Sequence, residues 1–154
     1  MPRLADFDLA AAHTYFAAKC FNDAWDLMEK PDRTPADDRL MAALNQASIF
    51  HWLNREDCTD QRLAVGYWQA SRIQALLGNA AEALRFGEIC MSYSTGLAPF
   101  HLGFAHEALA RAHLLAGDRA VAAEHFSRAV AFAAQVTKPV DRDLLEGDLR
   151  GLGL

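Results

Sequence analysis

Trp68 and Arg72 stand four residues apart, and Glu107 and Arg111 repeat that spacing 39 residues further along the chain. On a helix, a spacing of four places both members of a pair on one face. Two guanidiniums beside an indole could grip a carboxylate bidentately while an apolar group packs against the ring. The same residues admit a plainer reading, in which Arg72 or Arg111 pairs with Glu107 and fixes helix register, as ion pairs on helical faces often do. Trp68, Arg72, Glu107 and Arg111, joined by His51, are the candidate ligand- or peptide-binding residues.

The other reactive side chains form no constellation. His101, His106, His113 and His125 fall in the last two long helical patterns, but neither H-E-x-x-H nor a Cys/His cluster accompanies them, so no metal site is expected. His13, in an apolar stretch, and His51, beside Trp52, read as hydrogen-bonded core or groove residues. Trp25 and Trp52 read as packing between helices. Cys20, Cys58 and Cys90 are far apart with no C-x-x-C pair, and Cys20 and Cys90 sit in apolar helical patterns as small buried hydrophobes. No G-x-S-x-G elbow, phosphate loop or dinucleotide fingerprint occurs, and the adjacent carboxylates Asp37-Asp38 and Glu56-Asp57 point different ways on a helix. Neither catalysis nor a cofactor is expected.

Composition bounds the partners. At 154 residues the chain fits one domain, able to bury roughly two-thirds of its unfolded surface. With 52% hydrophobic and 23% charged residues, it reads as an ordinary globule rather than a disordered or membrane-spanning chain. The net charge of −5 disfavours nucleic acid and anionic membrane surfaces, whose binders carry basic faces. Charges at Arg3, Asp6 and Asp8 interrupt the N-terminus before any apolar signal region can form, so a cytoplasmic location is expected. Self-association into a homodimer stays open.

The elements that must position these residues are all helical. Residues 8–29 hold Leu9, Ala12, Phe16, Cys20, Leu27 and Met28 near helical spacing and stop at Lys30-Pro31, with Lys19 to Asn22 as a place for a bend. Thr34 caps the next helix, with Pro35 at its first position and Asp37 near its positive end; it runs to about Asn54 and buries Leu40, Leu44, Ala47 and His51. A helix over 60–77 ends at Gly78, and Asn79 caps its successor, with Glu82 three residues on, as far as Ser94. The pattern recurs over 99–116 and 118–136, with Gly117 at the bend and Asp118 as cap, and a short helix over 139–149 closes the chain. No strand signal occurs.

Ala64 to Ser94 aligns with Gly103 to Ala133, matching Arg72 with Arg111, Leu76 with Leu115, Gly78 with Gly117 and Ala83 with Ala122. Two helices joined through one glycine and a cap must fold back antiparallel, and each hairpin keeps an apolar face that only a neighbour can cover. The stretch HEALARAHLLAGDRAVAAEHFSRAVAFA resembles the tetratricopeptide-repeat family in Leu109, Ala110, Gly117, Ala122, Phe126 and Ala129. GYWQASRIQALLGNAAEALRFGEICMSYS fits more loosely, with Gly87 where the family prefers an aromatic and Gln74 and His113 at its usual tyrosine place. HTYFAAKCFNDAWDLMEKPDRT, IFHW and GYWQASR together are also similar to a group of small bacterial proteins of this length.

The resemblance implies an all-α domain over residues 1–154, a short right-handed superhelix of helix pairs at 8–54, 60–94 and 99–136 with a capping helix at 139–149. It also implies that the first helix of each pair lines a concave face where peptides lie, and that Phe126 locks the last pair. The function expected on this basis is an interaction module binding a protein segment or peptide in that groove. The alternative is a small-molecule-binding or enzymatic helical domain with a polar pocket of His13, His51, Trp68 and Arg72.

Overall fold

The computed structural model describes residues 6–154, so the first part of the N-terminal stretch read above for targeting lies outside the described residues. Among them the chain forms α1 (Leu9–Glu29), α2 (Pro35–Leu53), α3 (Asp60–Leu76), α4 (Ala80–Ser94), α5 (Pro99–Leu115), α6 (Arg119–Ala133) and α7 (Pro139–Arg150), with no strand. Local chemistry sets the boundaries. Thr34 and Asp37 form a reciprocal capping box at the start of α2, with Pro35 in the first turn. Thr59 and Asp118 accept hydrogen bonds from the Arg62 and Val121 amides at the starts of α3 and α6. Asn79 occupies the cap position of α4, but its side-chain amide donates to Gln74 Oε1 across the turn instead of capping the helix.

The two internal bends are alike. Gly78 and Gly117 adopt φ of 78° and 86°, a left-handed conformation that glycine reaches without steric penalty. The following amides, of Asn79 and Asp118, return to the carbonyls of Gln74 and His113 at 2.9 Å each, closing both helix ends in the same way. α1 runs unbroken through Lys19 to Asn22.

Consecutive helices pack as pairs, α1 with α2, α3 with α4 and α5 with α6, and the second helix of each pair packs on the first helix of the next. The first helices also touch one another, α1 with α3 and α3 with α5, whereas α2, α4 and α6 make no such contacts among themselves. A stack whose first helices converge while the second helices stay apart curves toward the side of α1, α3 and α5. α7 lies against α5 and α6 and covers the end, where Leu145 and Leu149 pack on Ala110, Ala129 and Ala133. Gly103 makes that approach possible, since a Cβ there would collide with Leu145 Cδ2.

One packing expectation is corrected. Leu40 is exposed and Leu44 only half-buried; α2 instead buries Met41, Asn45, Ser48 and Ile49. The inward face includes two polar side chains because each is hydrogen-bonded: Ser48 to the Ala17 carbonyl at 2.7 Å, Asn45 to the Gly66 carbonyl at 3.1 Å. Phe126, half-buried, packs against the core shared by α5, α6 and α7.

Candidate functional site

α3 and α5 meet over a single buried carboxylate. Glu107 has no exposed surface, and Trp68 Nε1 donates to its Oε2 at 2.9 Å. Arg111 donates to Oε1 through Nε at 2.9 Å and through Nη2, and Arg72 Nη1 reaches the same oxygen at 3.5 Å. A carboxylate removed from water needs such partners, because an isolated buried charge costs several kcal/mol or more. The 39-residue correspondence therefore builds the seam between the second and third pairs: equivalent positions of α3 and α5 supply an indole, a carboxylate and two guanidiniums to one cluster.

Asp148 of α7 stands within electrostatic reach of this cluster. Burial raises its pKa and nearby Glu107 adds to the rise, while Arg72 and Arg111 oppose it. Burial lowers the pKa of Arg72, as does the like charge of Arg111, with Glu107 and Asp148 acting the other way.

A cavity opens on each side of the cluster. The aromatic cavity, of about 170 Å³, lies between α1, α3, α4, α5 and α7 and is walled by Phe21, Trp25, Trp68, Phe100, Phe104 and Leu144, with Ser94, His101 and Asp148 as polar members. Its rings brace one another: Trp25 stacks on Trp68 at 5.8 Å, Phe104 stands edge-on to Trp68 at 5.5 Å, and Phe100 to Phe104 at 5.0 Å. The arginine cavity, of about 370 Å³, is lined by Arg72 and Arg111 together with Leu76, Leu114, Leu115, Gly151 and Leu152. The two arginine side chains keep 24% and 19% of their surface, enough to present unused guanidinium donors there.

Of the expected site residues, Trp68, Arg72, Glu107 and Arg111 come together, with Trp68 and Glu107 inside the seam rather than open in a channel. His51 does not join them. Its Nδ1 faces His13 Nδ1 at 2.8 Å between α1 and α2, and its ring stacks on Phe16 at 5.5 Å. His13 precedes Trp25, the α1 residue that touches Trp68, by 12 positions on one continuous helix, or about 18 Å. The polar pocket of His13, His51, Trp68 and Arg72 is consequently not assembled; the histidines meet between α1 and α2, the arginines at the seam of α3 and α5.

A second histidine pair clasps α5 to α6. His106 and His125 approach Nδ1 to Nδ1 at 3.0 Å, His113 stacks on His125 at 5.5 Å, and burial pushes His106 down to about 4. Among the described residues, no group of three or more His, Cys, Asp or Glu side chains is arranged to hold a metal ion. Burial raises the pKa of all three thiols, Cys90 up to about 12, which makes them poor nucleophiles near neutral pH. Trp52 carries the guanidiniums of Arg55 and Arg62 over its ring at 4.0 and 5.1 Å.

Sequence reasoning missed Asp148, Phe21 and Phe100, which reach one cavity from three different helices. Nothing in their spacing could have joined them. No helix among the described residues is long and apolar enough to cross a membrane. No family model, curated protein or solved structure matches the chain.

Proposed function

We propose that the protein is a non-catalytic, tetratricopeptide-like interaction module that takes a carboxylate-bearing segment of a partner protein in its arginine cavity. The observation that carries this reading is the pairing of unused guanidinium donors on Arg72 and Arg111 with an apolar wall of Leu76 and Leu115. One carboxylate, Glu107, serves both arginines and faces them from within the seam, which leaves their outer edges for a second acceptor. Leu76 and Leu115 are 41% and 43% exposed, large apolar side chains set beside cations, as suits a peptide with an acidic group and an apolar neighbour. The raised thiol pKa values favour binding over nucleophilic catalysis.

The test must avoid the arginines themselves, because removing them strands Glu107. Leu76→Glu with Leu115→Glu places two acids in the cavity mouth at exposed positions. The wild-type protein should capture a defined partner from lysate, identified by mass spectrometry. The folded double variant should capture at least about tenfold less of it, the effect of losing about 1.4 kcal/mol. Capture unchanged in a variant with wild-type helicity and melting temperature would reject this site.

A further inference from the structure

The aromatic cavity has a composition that the arginine cavity does not share. Its walls are five aromatic rings, a few aliphatic groups, the Cys90 thiol and the Ser94 hydroxyl, which is turned to the Cys90 carbonyl, and Asp148 is the one residue among them that carries charge at neutral pH. His101 also lines it, but burial lowers the pKa of that imidazole, so it adds no cation to the wall. Arg72 and Arg111 line the other cavity and are engaged by Glu107; their charges reach Asp148 and oppose the rise in its pKa, but neither donates a hydrogen bond to it. The Asp148 carboxylate accepts no hydrogen bond from any described residue, although it is half-buried.

Size narrows the occupant. A dry apolar cavity of about 150 Å³ holds a benzene-sized molecule. At about 170 Å³ this one accommodates a single six-membered ring with a short arm. Charge narrows it further. The faces of aromatic rings attract cations, and an ammonium at Asp148 would supply the hydrogen-bond donor that the carboxylate lacks. The net charge of −5 draws small cations in the same direction. An anionic arm would meet Asp148 and the electron-rich ring faces, and a neutral arm would leave the carboxylate as it stands.

We infer that the aromatic cavity is a binding site for a small arylalkylammonium compound, its ring held among Trp25, Trp68, Phe100 and Phe104 and its ammonium paired with Asp148. This site is separate from the arginine cavity and does not rest on the reading given above for that cavity. Since Asp148 belongs to α7 and the rings belong to α1, α3 and α5, the bound cation would tie the last helix to the inner layer. A raised carboxylate pKa fits such a site, because the incoming cation favours the ionised form that burial disfavours.

Isothermal titration calorimetry with three compounds of one shape tests the inference: phenethylamine, 2-phenylethanol and phenylacetate. Phenethylamine should bind saturably with one site per chain, at least about tenfold tighter than the alcohol, with phenylacetate weakest. Asp148→Asn, at a half-buried surface position, should erase the preference for the amine while leaving the alcohol's affinity within about twofold. Ala64→Phe, which fills the cavity from α3, should weaken all three compounds, and melting curves check that both variants stay folded. Equal binding of the three compounds, an amine preference that survives Asp148→Asn, or no saturable binding of phenethylamine would each overturn the proposal. So would binding of a lysine peptide at Asp148 with none of phenethylamine.

Discussion

Two seams join the helix pairs, and they are built from opposite kinds of polar chemistry. Between the first and second pairs lies a neutral amide cluster. Asn45 donates to Gln69 Oε1 at 3.0 Å and to the Gly66 carbonyl at 3.1 Å, while Gln69 donates to the Phe21 carbonyl at 3.1 Å. Between the second and third pairs lies the charged cluster of Trp68, Arg72, Glu107 and Arg111. Trp68 and Gln69 are neighbours on α3, and successive residues of a helix point about 100° apart, so one element faces both seams at once. A neutral cluster spreads its penalty for disruption over several modest hydrogen bonds. A charged one concentrates it on Glu107, which has water on no side.

The largest effect is expected where that charge loses its partner. Arg111→Met keeps much of the side-chain volume but leaves Glu107 with Trp68 and the 3.5 Å contact of Arg72, and should destabilise the fold by about 3 to 5 kcal/mol in urea titration. The matched change on the other seam is Gln69→Leu. It removes the acceptor for Asn45 and the donor to Phe21, yet Asn45 keeps the Gly66 carbonyl, so the loss should be about 1 to 2 kcal/mol. Equal losses for the two variants would break the comparison and show that charge does not distinguish the seams.

A third measurement sharpens it by acting on neither seam. The His106–His125 clasp lies within the last hairpin, and burial lowers both pKa values, helped at His106 by His125, at His125 by His113, and at both by Arg128, while Glu124 opposes the shift at His125. As pH falls from about 6.5 toward 4, the unfolded chain takes up protons on these histidines before the folded one does. The stability they contribute is thus complete above that window and is lost through it. Asp148, whose pKa is raised, acts in the opposite sense as it protonates. Urea midpoints at pH 7 and pH 5 should fall less in His106→Gln than in the wild type; equal falls would mean that the clasp does not govern the response.

Turns and caps were the most legible part of the chain. Gly78, Gly117, Thr34 with Pro35, and Asp118 act through backbone rules that reach only a few residues, so each could be read where it stands. The face of α2 was less legible, because Asn45 and Ser48 look like surface residues until Gly66, Gln69 and Ala17 arrive from other helices to satisfy them. The spacing of Trp68, Arg72, Glu107 and Arg111 revealed a shared place in two helices, while their burial depended on how closely α3 and α5 approach. The aromatic cavity left no local trace at all, since its wall is assembled from residues as distant as Phe21 and Asp148.

The stacked indoles of Trp25 and Trp68 have an optical consequence. At 5.8 Å and 28° between planes, their ππ* transitions are close enough to couple, and the coupled pair should split its circular dichroism into lobes of opposite sign. Backbone ellipticity reports helix content whether or not helices are docked, but this exciton couplet exists only while α1 rests on α3. The chain therefore carries its own chromophoric gauge of docking, one that would fade before the helices themselves unwind if the first pair were to swing away from the rest.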